Sequence, residues 1–200
     1  SKNKKLLIAT RSSPLALKQC EIAISLLKDF ECEIIPVTTK GDKIKNKLLN
    51  EVGGKGLFIK EVEKFILEKK AHLAIHSMKD LEWNLNKKTK IGAVLKRSSR
   101  RDVLISKWKS FDEVPENATI GTSSIRRKAF LLANNPNFKI TISRGNINSR
   151  LEKLFHGQYD AIVLAEAGIK RLGLKVNYFK ISEKILPPSP GQGAIAIQCL

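Results

Sequence analysis

Apolar positions along this chain come in short clusters that alternate between two spacings, strand-like runs and helical faces, and the alternation predicts repeated β-α-β units. Residues 5–10 hold Leu6, Leu7, Ile8 and Ala9 in a row and read as a strand. Ser13 then offers an N-cap and Pro14 the first helical position, ahead of a helix to about Asp29 with Leu15, Leu17, Ile22, Leu26 and Leu27 on its apolar face. A second strand spans 33–39, and β-α-β order pairs it parallel with the first; Pro36 within it points to an edge or a bulge. Phe58, Val62, Phe65 and Ile66 mark a helix over 58–69, and 72–76 a brief strand. Strands at 90–95 and 103–106 flank a polar crossover at 96–102, after which a second β-α series begins. In it, Thr119 and Ile120 lead to Gly121, and Thr122, Ser123 and Ser124 open a helix with Ile125, Ala129 and Leu132 on its apolar face. Residues 139–143 form another strand, with a helix from about Ser149 and Arg150. A strand over 160–164, a helix over 165–172 and a Pro/Gly-rich return over 186–197 complete the chain. The expected fold is α/β: two lobes, 1–96 with 193–200 and 97–192, each a mixed or mostly parallel sheet flanked by helices, joined by two crossovers.

Charge then narrows the possible partners. Across 200 residues, Lys and Arg number 37 and Asp and Glu 19, a net charge of +18. Such an excess favours a polyanionic partner. The lysines are dispersed, as on a solvated surface, whereas the arginines stand beside Gly, Ser and Asn, where forked recognition of carboxylate or phosphate is feasible. Arg126 and Arg127 sit in the first helical turn after Ser124, the end of the helix dipole that favours anions rather than cations. Arg144, Gly145 and Asn146 repeat the arrangement before the next helix. The pair of turns predicts an anion crevice at the carboxyl ends of parallel strands. Arg11 and Ser13 end the first strand in the same way; a structural salt bridge for Arg11 is the competing reading. Asp80, an acid among cations, reads as an ionised group able to stabilise positive charge or move a proton, or else as a turn cap or partner of Lys79.

Other chemistries find less support. Gly53, Gly54, Lys55 and Gly56 have the composition of a phosphate loop without its spacing, and Lys55 is the candidate in that stretch. Cys20, Cys32 and Cys199 are odd in number and lack metal spacing, which predicts a reduced chain with no disulfide frame and no metal. The basic start has only a short apolar run, so neither signal peptide nor membrane span is expected. The expectation is a cytoplasmic chain, an organellar form cut from its transit peptide being the alternative. Aromatic content of 6% and the lack of a nucleic-acid motif weigh against nucleic acid as the partner.

The segments IATRSSPLALKQ, GGKGLF, AIHSMKD, GTSSIRRKA, RGNINSRL, YDAIVLAEAGIKRLGL and PSPGQGAIAI, in this order, closely resemble the porphobilinogen deaminase (hydroxymethylbilane synthase) family. The resemblance implies two lobes like those of periplasmic binding proteins, followed by a third α+β domain. It implies a transferase of tetrapyrrole (haem) biosynthesis that joins four porphobilinogen units head to tail into hydroxymethylbilane with release of ammonia, primed on a dipyrromethane cofactor, in a monomer. By resemblance, Asp80 is the catalytic acid. Arg11, Ser13, Lys55, Ser77, Lys79, Arg97, Thr122, Ser123, Ser124, Arg126, Arg127, Arg144, Gly145, Asn146, Arg150, Arg171 and Gln192 are positions that handle substrate or cofactor carboxylates. Where the family has Val-Pro after Asp80, this chain has Leu81, Glu82 and Trp83. The third domain and its cofactor-bearing Cys fall outside these 200 residues, and none of the three cysteines matches the attachment position. The expectation is therefore a chain that holds no covalent cofactor and is inactive, or nearly so, by itself. The alternative is a non-catalytic two-lobed anion-binding module.

Overall fold

A computed structural model describes residues 4–44 and 56–200. Two five-stranded sheets organise them. In the first, β1 (Lys4–Arg11) pairs parallel with β2 (Phe30–Val37) and with β3 (Leu73–Ser77). Strand β10 (Ile195–Cys199) runs antiparallel between β3 and β4 (Lys90–Val94), giving the order β2-β1-β3-β10-β4. Strand β2 is an edge, which accommodates Pro36 opposite Thr10. The second sheet has the order β7-β6-β8-β5-β9, built from β5 (Asp102–Ile105), β6 (Thr119–Gly121), β7 (Lys139–Thr141), β8 (Ala161–Ala165) and β9 (Tyr178–Lys180). Strand β6 is parallel to β7 and β8, whereas β5 is antiparallel to β8 and β9. Both sheets are thus mixed, and the return through residues 186–194 delivers β10 to the first. Strand β9 has no counterpart in the sequence pattern: it is three residues long and, unlike the equally short β6 and β7, is not followed by a helix that would mark a β-α unit.

Helices α1 (Pro14–Ile24), α2 (Lys40–Lys43) and α3 (Gly56–Leu67) accompany the first sheet; α4 (Ile125–Asn134), α5 (Ile147–Phe155) and α6 (Glu166–Leu172) accompany the second. Each sheet is covered on both faces. Ile8, Cys20, Ile75 and Ile195 lie in one cluster and Ala9, Val62, Ile66 and Ala74 in another. Leu104, Ile120 and Leu131 lie on one side of the second sheet and Ile162, Leu164 and Ile169 on the other. Each fully buried Ile or Leu of this kind contributes about 1.5–3 kcal/mol.

Three helices depart from the expected pattern. Helix α1 stops at Ile24 rather than near Asp29, and it buries Ala16, Gln19, Cys20 and Ala23 instead of the leucine stripe. Small residues on that face let it lie close to the sheet, which frees Leu15 to pack on the cluster around Ile162. Helix α4 turns Arg127 and Leu131 inward and leaves Ile125 53% exposed, because a buried carboxylate awaits Arg127. Helix α5 begins at Ile147, two residues before Ser149, since Asn146 rather than Ser149 is its N-cap. After Asp80 the chain leaves a single 3-10 turn (Met78–Asp80) in extended form at Leu81, and Trp83 is 97% exposed.

Candidate functional site: a cationic cleft between the sheets

The elements meet where strand ends face each other. Ser13 caps α1 by accepting from the Ala16 N–H (3.3 Å), Ser124 caps α4 through Arg127 N–H (3.2 Å), and Asn146 caps α5 through Ser149 N–H (2.8 Å). The two turns of the second sheet are stitched together. The Ser123 hydroxyl donates to the Ser143 carbonyl and accepts from its N–H, and Thr122 Oγ1 accepts from the Ser124 N–H. These hydroxyls are therefore committed to the backbone. Gly145 has φ +108°, and a Cβ there would fall 2.4 Å from Ser149 Oγ, so the turn before α5 requires glycine.

Between the sheets lies a cavity of about 80 Å³. Leu15, Gln19, Ser77 and Lys79 line it from the first sheet's side; Arg127, Ile147, Arg150, Gly168 and Arg171 line it from the second, with Gln192, Gly193 and Ala194 of the return segment. Four cations line it, and among the described residues no acid does. Ser77 donates to Gln19 (2.9 Å), and Arg171 donates to the Gly193 carbonyl (2.6 Å). The Nε of Arg150 is buried with no hydrogen-bond partner. Burial, then the neighbouring Arg127 and Arg11, push this guanidinium down to about 10. It stays charged at neutral pH, and a buried cation whose Nε has no acceptor favours a counter-anion. Lys79 is driven down to about 8, by burial first and then by Arg127, against the pull of Asp80 and Asp102.

Not every arginine faces the cavity unpaired. The Asp102 carboxylate, fully buried at the start of β5, accepts from Arg126 Nη1 (2.7 Å), Arg127 Nε and Nη2 (3.1 and 2.7 Å) and Gln192 Nε2 (3.1 Å). Burial would raise this carboxyl, but Arg127 and Arg126 override it and hold it below the ordinary range. Arg127 also donates to the Val163 carbonyl, and Arg126 to Pro187. Gln192 reaches the Arg100 carbonyl, and Arg97 donates to the Gln192 carbonyl, so both crossovers are fastened at one point. Arg11 pairs with Asp42 and stacks on the Phe58 ring at 4.1 Å. Arg144 donates to the Gly41 carbonyl (3.3 Å). Asp80 is half-buried; among the described residues its carboxylate makes no hydrogen bond or ion pair at bonding distance, but it lies close enough to Lys79 and His76 to favour their charged forms. Lys55 lies outside the described residues.

Of the expected site residues, then, the cavity gathers Ser77, Lys79, Arg127, Arg150, Arg171 and Gln192. Asp42 and Asp102 were not singled out from the sequence. Thr39 and Asp42 form a capping box, a pattern visible in the sequence. Asp102 leaves a fainter sign, an acid placed between Arg101 and an apolar strand.

The family model for "Porphobilinogen deaminase, dipyromethane cofactor binding domain" matches residues 6–200. This chain belongs to the porphobilinogen deaminase family. It is 45% identical to the porphobilinogen deaminase of Rickettsia akari over 96% of its length, covering 66% of that protein. Against the Buchnera aphidicola enzyme the identity is 47%, with 98% and 64% covered; for Rickettsia rickettsii the figures are 45%, 96% and 56%. The chain thus spans roughly six-tenths of the length of these curated relatives. Among solved structures it resembles an ancestral cationic amino acid solute binding protein (TM-score 0.55, 12% identity, 96% of this chain and 81% of that one). It likewise resembles an arginine transport periplasmic binding protein from Legionella pneumophila (TM-score 0.52, 14% identity, 98% and 86% covered). Both likenesses concern the fold: an α/β architecture of two mixed sheets, as in periplasmic binding proteins. The matched family domain is the one that binds dipyrromethane, and a cavity with four cations and an orphaned guanidinium suits a ligand carrying several carboxylates. None of Cys20, Cys32 and Cys199 lines the cavity, and burial pushes the Cys20 thiol up to about 12, far from a reactive thiolate.

Proposed function

We propose that residues 1–96 with 193–200 and 97–192 form the two lobes of a porphobilinogen deaminase, and that the cleft between them seats the carboxylates of dipyrromethane and of the growing pyrrole chain. The whole protein then joins four porphobilinogen units into hydroxymethylbilane, releasing ammonia at each step. The supporting observation is Arg150, whose Nε is buried without a partner in a cavity lined by Lys79, Arg127 and Arg171 and by no acid among the described residues. Porphobilinogen carries two carboxylates, so each added unit brings two more anions, for which Arg150, Lys79 and Arg171 are the counter-charge, Arg127 being neutralised by Asp102. When bound, the cofactor supplies the primer that the first unit joins. Asp80, whose carboxylate makes no hydrogen bond or close ion pair among the described residues, is the group that would accept a pyrrole N–H, offset the positive charge left when ammonia departs, and carry away the proton released on condensation.

The cavity is smaller than the ~300–1,000 Å³ typical of small-molecule sites, and a hinge motion about the two crossovers would enlarge it for a dipyrrole. Titration of porphobilinogen into the chain by calorimetry tests this reading. Binding that weakens with salt, and weakens about ten- to a hundredfold in Arg150→Met, is the expected result, since a charge-assisted hydrogen bond is worth about 1.5–3 kcal/mol. Absence of binding heat, or an undiminished Arg150→Met, sinks it. A second reading, anion binding without turnover, draws on the position of the cysteines outside the cavity. Binding in that assay without ammonia release would favour it.

A further inference from the structure

Two carboxylates pair with arginines in and beside this cavity, Asp102 with Arg127, which lines it, and Asp42 with Arg11, which lies next to Arg150 outside the lining, and they are held in opposite ways. Asp102 is fully buried, and all of its hydrogen-bond donors are side chains of Arg126, Arg127 and Gln192. Nothing could replace it without stranding a buried charge. Asp42 is different. Its Oδ2 accepts from the Thr39 hydroxyl (2.7 Å) and the Thr39 N–H (3.0 Å), a capping box that belongs to α2 alone. Its Oδ1 is the partner of Arg11 Nη2, while the second prong of the fork, Arg11 Nε to Oδ2, is stretched to 3.5 Å. The pair is only part-buried, with side-chain exposures of 25% and 18%.

Arg11 itself stands where an anion seat is expected, at the carboxyl end of β1 and just ahead of the capped α1. It lies close enough to Arg150 and Arg144 to raise the cost of charge on both. The turn carrying Asp42 is fixed from behind. A Cβ on Gly41 would fall 2.5 Å from the Phe58 ring, the same ring on which Arg11 stacks, so α2 sits flush against α3. The Gly41 carbonyl accepts from Arg144 of the other sheet. One short turn therefore presents acceptors to two of the arginines expected to handle ligand.

We propose that Asp42 is a displaceable internal counter-carboxylate: it occupies the seat at Arg11 that a carboxylate of the ligand takes over, and so sets the affinity of the cleft by competition. The proposal rests on the polycarboxylate reading above. The exchange is cheap because it strands neither group. Arg11 trades one carboxylate for another, and Asp42 keeps both Thr39 donors. Competition of this kind lowers ligand affinity by the fraction of time Asp42 holds the seat.

The test is calorimetric titration of porphobilinogen into the wild-type chain, Asp42→Asn, Asp42→Ser and Asp42→Asn/Arg11→Gln. Asn and Ser both retain an oxygen for the Thr39 N–H and remove the charge, and the second guards against a fold defect peculiar to the first. Binding about tenfold tighter in either single variant, with the gain abolished by Arg11→Gln, is the expected result. Wild-type binding that is unchanged or weakened in both single variants overturns the proposal and leaves the polycarboxylate cleft standing. No binding in the wild type or any variant overturns both.

Discussion

Replacing Asp102 by Ala should cost this chain about 3–5 kcal/mol, the usual consequence of removing one partner of a buried ion pair. The structure gives the reason for a figure at that level. Four N–H groups converge on the carboxylate, and Arg127, 7% exposed, would keep only the Val163 carbonyl. Arg126 is less affected because it is partly exposed and can turn to water. For 200 residues the unfolding entropy is about 0.4 kcal/mol per kelvin near the midpoint, so the expected fall in Tm is roughly 7–12 °C. Thermal unfolding followed by far-UV circular dichroism measures it directly. The companion variant Asp102→Leu/Arg127→Met removes both charges and should recover at least half of the loss, because the penalty lies in the stranded guanidinium rather than in a missing attraction. The sign of the pH dependence follows from the depressed carboxyl. Stability from Asp102 is fully present above the ordinary carboxylate pKa of ~3.9 and is lost as pH falls through the lower folded value, so the gap between wild type and Asp102→Asn should stay constant near neutrality and close in acid. A Tm change in Asp102→Ala below about 2 °C, or a double variant as unstable as the sum of its parts, would refute the reasoning.

Two further outcomes follow from the same geometry. Gly193 has φ +87°, and a Cβ there would lie 2.5 Å from the Ser99 carbonyl oxygen, whereas Gly157 has φ +77° with nothing within 4 Å. Gly193→Ala should therefore lower Tm clearly more than Gly157→Ala, which reports the ~1 kcal/mol or so of backbone strain alone; equal shifts would deny that the crossovers are in close contact. Lys79, pushed down to about 8, is charged below that pH and neutral above it, so porphobilinogen affinity should be level up to about pH 8 and fall beyond it. In Lys79→Met the affinity should be lower and the fall absent, and a profile identical to the wild type would remove Lys79 from the site.

Much of the fold is legible along the chain because strand and helix periods are local properties. Parallel pairing of β1 and β2, the edge position of the strand holding Pro36, and the caps at Ser13 and Ser124 follow from short-range pattern and β-α-β order, whereas the antiparallel insertion of β10 between β3 and β4 does not. Helix faces were less legible. The leucines of α1 and the Ile125 stripe of α4 look like core residues by periodicity, yet the core takes Cys20, Ala23 and Arg127 instead. The period locates a helix but not the carboxylate that makes burial of an arginine tolerable.

The site divides in the same way. Sequence alone placed arginines at strand ends and before helices, where backbone N–H groups favour anions, and its seven ordered segments pointed to the family. Which arginines stay open to a ligand was decided only by tertiary structure. Asp102 lies 24 and 25 positions before Arg126 and Arg127, Gln192 a further 65 beyond Arg127, and Asp42 31 after Arg11. Pairing over such separations depends on how two sheets are brought face to face, and a charge is free or neutralised according to what stands within a few ångströms of it. A one-dimensional pattern carries the identity of those groups but not the distances between them.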